Sequence, residues 1–284
     1  MDFYSEYKNK ISEIDLYIEN YINSINSVEP TLIDGMKYAV LNGGKRLRSI
    51  LCTEICKAFS ENNKEALPYA AAIEFIHAYS LVHDDLPAMD NADFRRGLPS
   101  CHKKFGEDIA ILIGDALLNN AFEIMLEKGN GTQRDIRAMK TIATSAGIYG
   151  MVNGQARDLK LSASKNATES EVTQMIEQKT MALIRGAAVS GSIVAGCNEN
   201  QIDIVDKFAY HLGLAFQIRD DFEDYEEDSS DEHSCPNFIN ILGFEQAKKK
   251  LEYNCFELAR YLDMIDNNDF LKNLCVFLFP EYIK

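Results

Sequence analysis

Apolar residues recur at intervals of three and four positions along almost the whole chain, and stretches in which apolar and polar residues alternate are scarce. The first spacing places apolar side chains on one face of a helix, whereas alternation is typical of a strand. The pattern therefore predicts an all-α protein, with helices over the following stretches: 5–26, 29–42, 46–60, 65–85, 108–128, 134–150, 152–162, 169–195, 200–226 and 243–264.

Two of these stretches, 65–85 and 108–126, are apolar nearly all round, which is typical of helices in the middle of a bundle. No Pro-, Gly- or Ser-rich linker interrupts the 284 residues, and 46% of them are hydrophobic. We therefore expect one domain over residues 1–284, a helical bundle with a central apolar cavity.

Two pairs of adjacent aspartates, Asp84-Asp85 and Asp220-Asp221, lie inside apolar helical stretches. Buried carboxylates repel one another and resist desolvation, so a cation between the pairs would explain them. Carboxylate ligands in small numbers suit magnesium that is carried with a substrate's phosphates. Asp220 and Asp224 are four residues apart and share a helix face. The alternative is that each cluster is a solvated acidic end of a helix.

The first cluster cannot act as one uninterrupted helix. Asp90 would then lie roughly 240° around the axis from Asp84, facing elsewhere. Pro87 disfavours helical geometry at Leu86, which lets the chain turn Asp90 back towards Asp84.

Three basic islands accompany the acidic clusters. Lys45 and Arg48 follow a Gly-Gly turn that feeds a helix, Arg95 and Arg96 lie just beyond Asp90, and Lys179 lies in the middle of a long helix. Helix N-termini and arginine forks suit phosphate, although each island could also be solvated or form simple salt bridges. Acidic pairs and cations around an apolar interior indicate a substrate with a diphosphate head and an apolar tail.

Charge and composition exclude several classes of protein. A net charge of −15 argues against a nucleic-acid partner. The polar first ten residues do not resemble a signal peptide, and the most apolar run, 69–82, is too short to span a membrane. Seven cysteines without regular spacing indicate thiols in a reducing, cytoplasmic compartment.

The chain resembles the trans-isoprenyl diphosphate synthases, and most closely their bacterial farnesyl diphosphate synthase type. The resemblance runs from about residue 30 to residue 265, through motifs at the following positions: 43–48, 77–90, 95–97, 114–117, 150–155, 179–180 and 216–221. It implies the isoprenoid synthase fold, a homodimer with helix 108–128 near the interface, and condensation of isopentenyl diphosphate with an allylic diphosphate.

The resemblance also implies roles for individual residues. Three magnesium ions would be held by Asp84, Asp85, Asp90, Asp220, Asp221 and Asp224. Arg95 and Lys179 would bind the allylic diphosphate, and Thr180 and Gln217 would stabilise the allylic cation. Isopentenyl diphosphate would contact Gly44, Lys45, Arg48, His77 and Arg96. The apolar interior would exclude water from the cation.

Product length follows from the position of Tyr79 and Ser80, about one turn before Asp84 at ~1.5 Å per residue. A bulky Tyr79 would form the floor of the cavity early, which favours a fifteen-carbon product, farnesyl diphosphate, over the twenty-carbon geranylgeranyl diphosphate. The alternative for Tyr79 is ordinary core packing.

The chain departs from the family after the second aspartate cluster. Segment 225–240 contains no lysine, whereas the family carries a Gly-Lys pair and a further lysine there. This leaves open a weakly active enzyme or a non-catalytic partner subunit. A terpene cyclase would share the fold, but the two aspartate-rich motifs and the basic residues for isopentenyl diphosphate argue against it.

Overall fold

The computed structural model describes residues 2–60, 62–163, 167–227 and 237–283, apart from the side chains of residues 224, 226 and 227. The helices are α1 Phe3–Ser24, α2 Pro30–Leu41, α3 Leu47–Phe59, α4 Leu67–Asp84, α5 Cys101–Phe105, α6 Glu107–Lys128, α7 Gln133–Ala146, α8 Met151–Ser162, α9 Glu169–Ile176, α10 Ala182–Val194, α11 Glu199–Glu227, α12 Phe238–Leu242, α13 Phe244–Leu262 and α14 Asp269–Leu278. A two-stranded antiparallel hairpin joins β1 Phe94–Arg95 to β2 Leu98–Pro99.

The all-α prediction is confirmed, and every predicted stretch contains a helix. The prediction for 169–195 was wrong in one respect, because a π-helical turn at Glu177–Met181 separates α9 from α10. The prediction also omitted α5, α12 and α14. For α14 the physical reason is its short apolar run at 274–279, which fits a strand as well as a helix.

Helix α4 lies in the middle of the bundle. It packs most extensively against α6 and also contacts α3, while α10 packs against α3, α7 and α11. Three consecutive alanines of α4, at 70–72, are fully buried, and their small side chains allow close approach of the neighbouring helices. The C-terminal end of this buried helix carries Asp84.

Helix α6 is long and apolar enough to cross a membrane, judged by length and composition alone. Such helices also occur in the cores of soluble proteins. Here α6 packs along α4, α2 and α5, and 39% of its most apolar window is buried inside the structure. Ile111 and Leu112 on its outer side are exposed.

The two ends of the chain pack together through aromatic rings. Phe3 of α1 lies 5.5 Å from Phe270 and 5.6 Å from Phe277 of α14, measured between ring centroids. Tyr7, stacked on Phe3, donates a hydrogen bond of 2.5 Å to the carbonyl oxygen of Lys45. This terminal cluster therefore supports the glycine-rich turn that precedes α3.

Candidate active site

The first acidic cluster lies where α4 ends and the chain turns back. The backbone N–H of Asp90 donates a hydrogen bond of 2.9 Å to the carbonyl oxygen of Asp84, and Ala92 donates one of 3.2 Å to that of Asp85. Pro87 lies inside this turn, and Asn91 completes it with a φ of 49°. The turn brings Asp90 beside Asp84, where a continuous helix would have separated them.

The ionised form of the Asp84 side chain is destabilised in the free protein. Burial raises its pKa to about 6, and the negative charges of Asp90 and Asp85 act in the same direction. Lys179 and Arg95 oppose the shift but do not cancel it. A cation bound beside Asp84 would favour its ionised form.

Asp85, by contrast, is fully engaged by the protein. It is 2% exposed, and the guanidinium of Arg95 donates to its Oδ1 from Nε at 3.1 Å and from Nη2 at 2.5 Å. The hydrogen bonds to Asp85 raise the pKa of Arg95. The β1–β2 hairpin thereby holds Arg95 against the acidic turn.

The second acidic cluster lies late in α11. Burial raises the pKa of Asp220, although Arg219 donates a 2.8 Å hydrogen bond to its Oδ1. Asp221 is 3% exposed and accepts hydrogen bonds from Gln217 Nε2 at 3.0 Å and from the Phe238 N–H at 2.9 Å. The prediction for the carboxylate of Asp224 lies outside the described side chains.

Neither cluster forms a complete metal cage by itself. Among residues 2–60, 62–163, 167–227 and 237–283, no group of three or more His, Cys, Asp or Glu side chains is arranged to hold an ion. Asp84 and Asp90 on one side and Asp220 on the other could each supply oxygen ligands to an ion that a diphosphate completes. The donor set therefore fits magnesium that arrives with a substrate.

The glycine-rich turn before α3 has a backbone that suits glycine. Gly43 and Gly44 have φ values of 80° and 115°. Arg96 covers this turn, with Nη1 donating 2.8 Å to the Gly43 carbonyl oxygen. A Cβ on Gly44 would lie 3.0 Å from Arg96 Nη2, a tight contact that a small shift of the arginine would relieve, so the positive φ is what favours glycine here.

Arg46 anchors the turn from below, and sequence reasoning did not assign it. Its side chain is 2% exposed and bonds Asp15 Oδ1 at 2.7 Å and Glu74 Oε2 at 3.2 Å, while Nη2 donates to the Val40 carbonyl oxygen at 2.5 Å. Its φ of 49° is left-handed. Lys45, Arg46 and Arg48 all line one cavity, and the ion pairs to Asp15 and Glu74 hold the Arg46 guanidinium inside the protein.

Arg48 and His77 lie together, and the negative charges that act on Arg48 are those of Glu74 and Asp220. Burial lowers the pKa of Arg48, and its Nε has no hydrogen-bond partner in the described part of the chain. Burial also lowers the pKa of His77 well below its usual range, and the charges of Arg48 and Arg96 add to this effect. The buried guanidinium of Arg48, with the imidazole of His77 beside it as a possible N–H donor, favours an anion.

Lys179 and Thr180 lie in the π-helical turn between α9 and α10. Such turns are rare in proteins, and where they occur they often lie at functional sites. The ammonium of Lys179 forms a salt bridge with Asp158 of α8, a partner that sequence reasoning missed. Asn153 Nδ2, also in α8, donates 2.9 Å to Gln178 Oε1. Helix α8 therefore holds the turn in place.

Two cavities meet between these elements. One, of about 840 Å³, is lined by the glycine-rich turn and by Arg48, Glu74, His77, Arg96, Thr180, Phe216 and Asp220. The other, of about 420 Å³, is lined by Arg48, His77, Tyr79, Ser80, Leu81, His83, Asp84, Met89, Met151, Val152, Gln155, Ala156, Leu159, Lys179, Thr180 and Leu183. Because three residues, Arg48, His77 and Thr180, line both, the basic cavity adjoins the apolar one.

Tyr79 and Ser80 lie on the wall of the smaller cavity. Tyr79 is 8% exposed, and its ring contacts the His83 ring edge-on, with 5.9 Å between centroids. The structure brings together the two acidic clusters and all three basic islands around these cavities. Of the lysine-free segment 225–240, residues 228–236 lie outside the described part of the chain.

Comparisons with known proteins agree with this geometry. The polyprenyl synthetase family profile matches residues 29–233. The chain is 36% identical over 268 residues to the farnesyl diphosphate synthase of Geobacillus stearothermophilus, with 89% of each protein covered. It is 41% identical over 226 residues to a chloroplastic geranylgeranyl pyrophosphate synthase of Catharanthus roseus, covering 76% of this chain and 63% of the plant protein.

A crystal structure of a FPP/GFPP synthase from Zymomonas mobilis has the same fold. It superposes with a TM-score of 0.88 at 33% identity, covering 96% of this chain and 99% of that one. The chain belongs to the polyprenyl synthetase family.

Proposed function

We propose that the protein is a short-chain trans-prenyltransferase that condenses isopentenyl diphosphate with dimethylallyl or geranyl diphosphate to give farnesyl diphosphate. The observation that carries this proposal is the junction of the two cavities. One is lined by basic side chains together with Glu74 and Asp220, and the other is a largely apolar space beneath Asp84. A diphosphate head and an isoprenoid tail match these two environments.

The allylic diphosphate lies between Asp84 and Asp220 in this proposal. Arg95, held by Asp85, and Lys179, held by Asp158, add positive charge from fixed positions. These preorganised cations stabilise the diphosphate as the carbon–oxygen bond breaks. Thr180 and Gln217 offer oxygens to the allylic cation, and the apolar walls keep water away from it.

Magnesium is the metal that this donor set suits best. When bound, three ions would supply Lewis-acid stabilisation to the departing diphosphate. Asp84, Asp90 and Asp220 are the described carboxylates best placed to hold them. We propose Asp85 and Asp221 as further ligands that keep their present hydrogen bonds, with Asp224 completing the second cluster.

Isopentenyl diphosphate occupies the larger cavity in this proposal. The amides of the turn at Gly44 and the side chains of Lys45, Arg48, His77 and Arg96 line it or lie at its rim. Arg48 supports this assignment because its buried guanidinium gains an ionic partner when the diphosphate binds. The double bond of isopentenyl diphosphate then faces the allylic carbon beside Thr180.

Product length is proposed from Tyr79. This residue fills the wall of the tail cavity within about one helical turn of Asp84, at ~1.5 Å per residue. We therefore favour fifteen carbons. A twenty-carbon product is the second candidate, because the Catharanthus roseus relative is named a geranylgeranyl pyrophosphate synthase.

We further propose a cytoplasmic homodimer. Helix α6 carries the exposed apolar side chains Ile111, Leu112 and Leu126 on its outer side, and a second copy of the chain would cover them. A weakly active or non-catalytic partner subunit is the alternative that the lysine-free segment 225–240 leaves in place.

The proposal is tested by turnover of radiolabelled isopentenyl diphosphate with geranyl diphosphate, followed by separation of products by chain length. We expect a fifteen-carbon diphosphate that forms only with magnesium. Folded protein that binds both diphosphates but yields no product would favour the partner-subunit alternative. A twenty-carbon product would leave the reaction class intact and contradict only the assignment of Tyr79.

A further inference from the structure

Gln155 of α8 carries a side chain that nothing in the proposed reaction has used. Its Oε1 and Nε2 are both buried, and neither has a hydrogen-bond partner within the described residues. The neighbouring polar residues of the same helix behave differently, since Asn153 bonds Gln178 and Asp158 bonds Lys179. Arg157 of α8 also has a buried Nε without such a partner, but Gln155 is the α8 residue whose amide lacks a partner at both of its polar atoms.

Gln155 is one of the residues that line the smaller cavity, and its amide atoms are shielded from solvent in the free protein. That wall also contains Asp84, Lys179 and Thr180 at the proposed diphosphate end and Leu159 and Leu183 among its apolar residues. An unpaired buried amide costs free energy, and proteins retain such groups mostly where a ligand or a reaction uses them. Gln155 therefore combines a place on the cavity wall with an amide whose bonding capacity is unused among the described residues.

We propose that Gln155 is a further catalytic residue, whose amide oxygen faces the allylic carbons of the bound substrate. The inference rests on the proposed prenyltransferase function. In the first step the C1–O bond of the allylic diphosphate breaks, its electron pair leaves with the diphosphate, and C1 and C3 share the positive charge. The Oε1 dipole stabilises that charge without forming a bond to carbon.

The remaining steps balance without a further reactant. The double bond of isopentenyl diphosphate supplies the electron pair for the new carbon–carbon bond, and a proton then passes to the departed diphosphate. Because the Oε1 dipole interacts more strongly with the cation than with the neutral substrate, its loss lowers kcat more than it raises KM.

The test compares wild type with Gln155→Met, which keeps length but removes both polar atoms, and with Gln155→Glu, which keeps an oxygen at the same position. Gln174→Met, at an exposed position of α9, is the matched control. We measure kcat, the KM of each substrate and the thermal unfolding temperature. Gln155→Met is expected to lower kcat by about 10- to 100-fold. The KM for isopentenyl diphosphate should stay within about twofold, since uniform binding is unaffected.

The unfolding temperature separates catalysis from structure. Removing an unpaired buried amide should leave the unfolding temperature unchanged or raise it. The rise should be about 2–4 °C if the whole free-energy cost of burying the amide is removed. Gln155→Glu should retain more of kcat than Gln155→Met. A wild-type kcat in Gln155→Met would overturn the proposal. So would a parallel fall of kcat and unfolding temperature in Gln155→Met if Gln155→Glu lost as much of both. If the wild-type protein had no turnover, both this inference and the proposed function would be overturned. If the wild type is active, the variants test the role of Gln155 alone.

Discussion

Gly154 of α8 lies directly against the backbone of Lys179. A Cβ at this glycine would lie 2.1 Å from the Lys179 nitrogen and 2.5 Å from its Cα. No side chain fits this space. Because residue 154 is a glycine, α8 can pack directly against the backbone of the π-helical turn. The position of the Lys179 ammonium, and of Thr180 beside it, depends on this contact.

Gly154→Ala should therefore displace Lys179 and Thr180 from the cavity wall. We expect turnover to fall by about 10- to 100-fold, since a displacement near 1 Å is enough for such a loss. The matched control is Lys160→Gly, which weakens the exposed side of the same helix by about 1 kcal/mol without touching the turn. If Gly154→Ala were as active as the control, the contact would have no role in placing Lys179.

Arg46 is expected to determine stability rather than substrate binding. Arg46→Met removes the cation from Asp15 and from Glu74, which is 2% exposed, and leaves a buried charge without its ionic partner. The free energy of unfolding in urea should fall by about 3–5 kcal/mol. Arg137→Met, which breaks the exposed pair with Glu199, should cost much less.

A double variant, Arg46→Met with Glu74→Leu, tests the cause of that loss. It removes the orphaned buried carboxylate, so we expect it to recover part of the stability. No recovery would indicate that the loss comes from the contacts of Arg46 with Asp15 and the Val40 carbonyl oxygen, and not from the orphaned carboxylate of Glu74.

Substitution of Arg48 should affect one of the two proposed diphosphate sites much more than the other. Arg48→Gln removes a guanidinium whose buried Nε has no hydrogen-bond partner among the described residues. We expect the KM for isopentenyl diphosphate to rise by about 10- to 100-fold, in line with loss of a charge-assisted contact. The dissociation constant of geranyl diphosphate, measured by calorimetry, should change by no more than about threefold, within the scatter expected for uncoupled sites. An equal loss at both sites would contradict the division between the two cavities.

Tyr79 should set the length of the product. Tyr79→Ala opens the wall of the smaller cavity, and we expect products longer than fifteen carbons by chromatography of the dephosphorylated alcohols. Ser80→Phe adds bulk at the neighbouring position and should shorten the product. If both variants gave the wild-type distribution of product chain lengths, Tyr79 would have no role beyond ordinary core packing.

The features that sequence could predict are those with a local signal. The helical period identified ten helix-containing stretches, and Pro87 indicated the turn that brings Asp90 back to Asp84. The motifs located both acidic clusters and all three basic islands. In each case the relevant residues are neighbours in the chain, or share one helix face.

Other features depend on contacts between distant segments, which no local pattern records. Asp158 pairs with Lys179 across two helices, and Arg46 pairs with Asp15 and Glu74 from two others. The π-helical turn falls within an unbroken helical period, so nothing in residues 169–195 distinguishes it. The hydrogen bonds that occupy Asp85 and Asp221 were likewise invisible, because Arg95 and Phe238 lie on other elements.

The central claim is that Asp84 and Asp220 hold one diphosphate together through magnesium. Its most direct test is titration calorimetry of geranyl diphosphate into wild type, Asp84→Asn and Asp220→Asn, each with and without magnesium. We expect tight binding by wild type only with magnesium, a loss of at least about tenfold in each variant, and no such loss in the control Asp203→Asn, on the exposed side of α11. Magnesium-independent binding by wild type, or undiminished binding by both active-site variants, would contradict the claim.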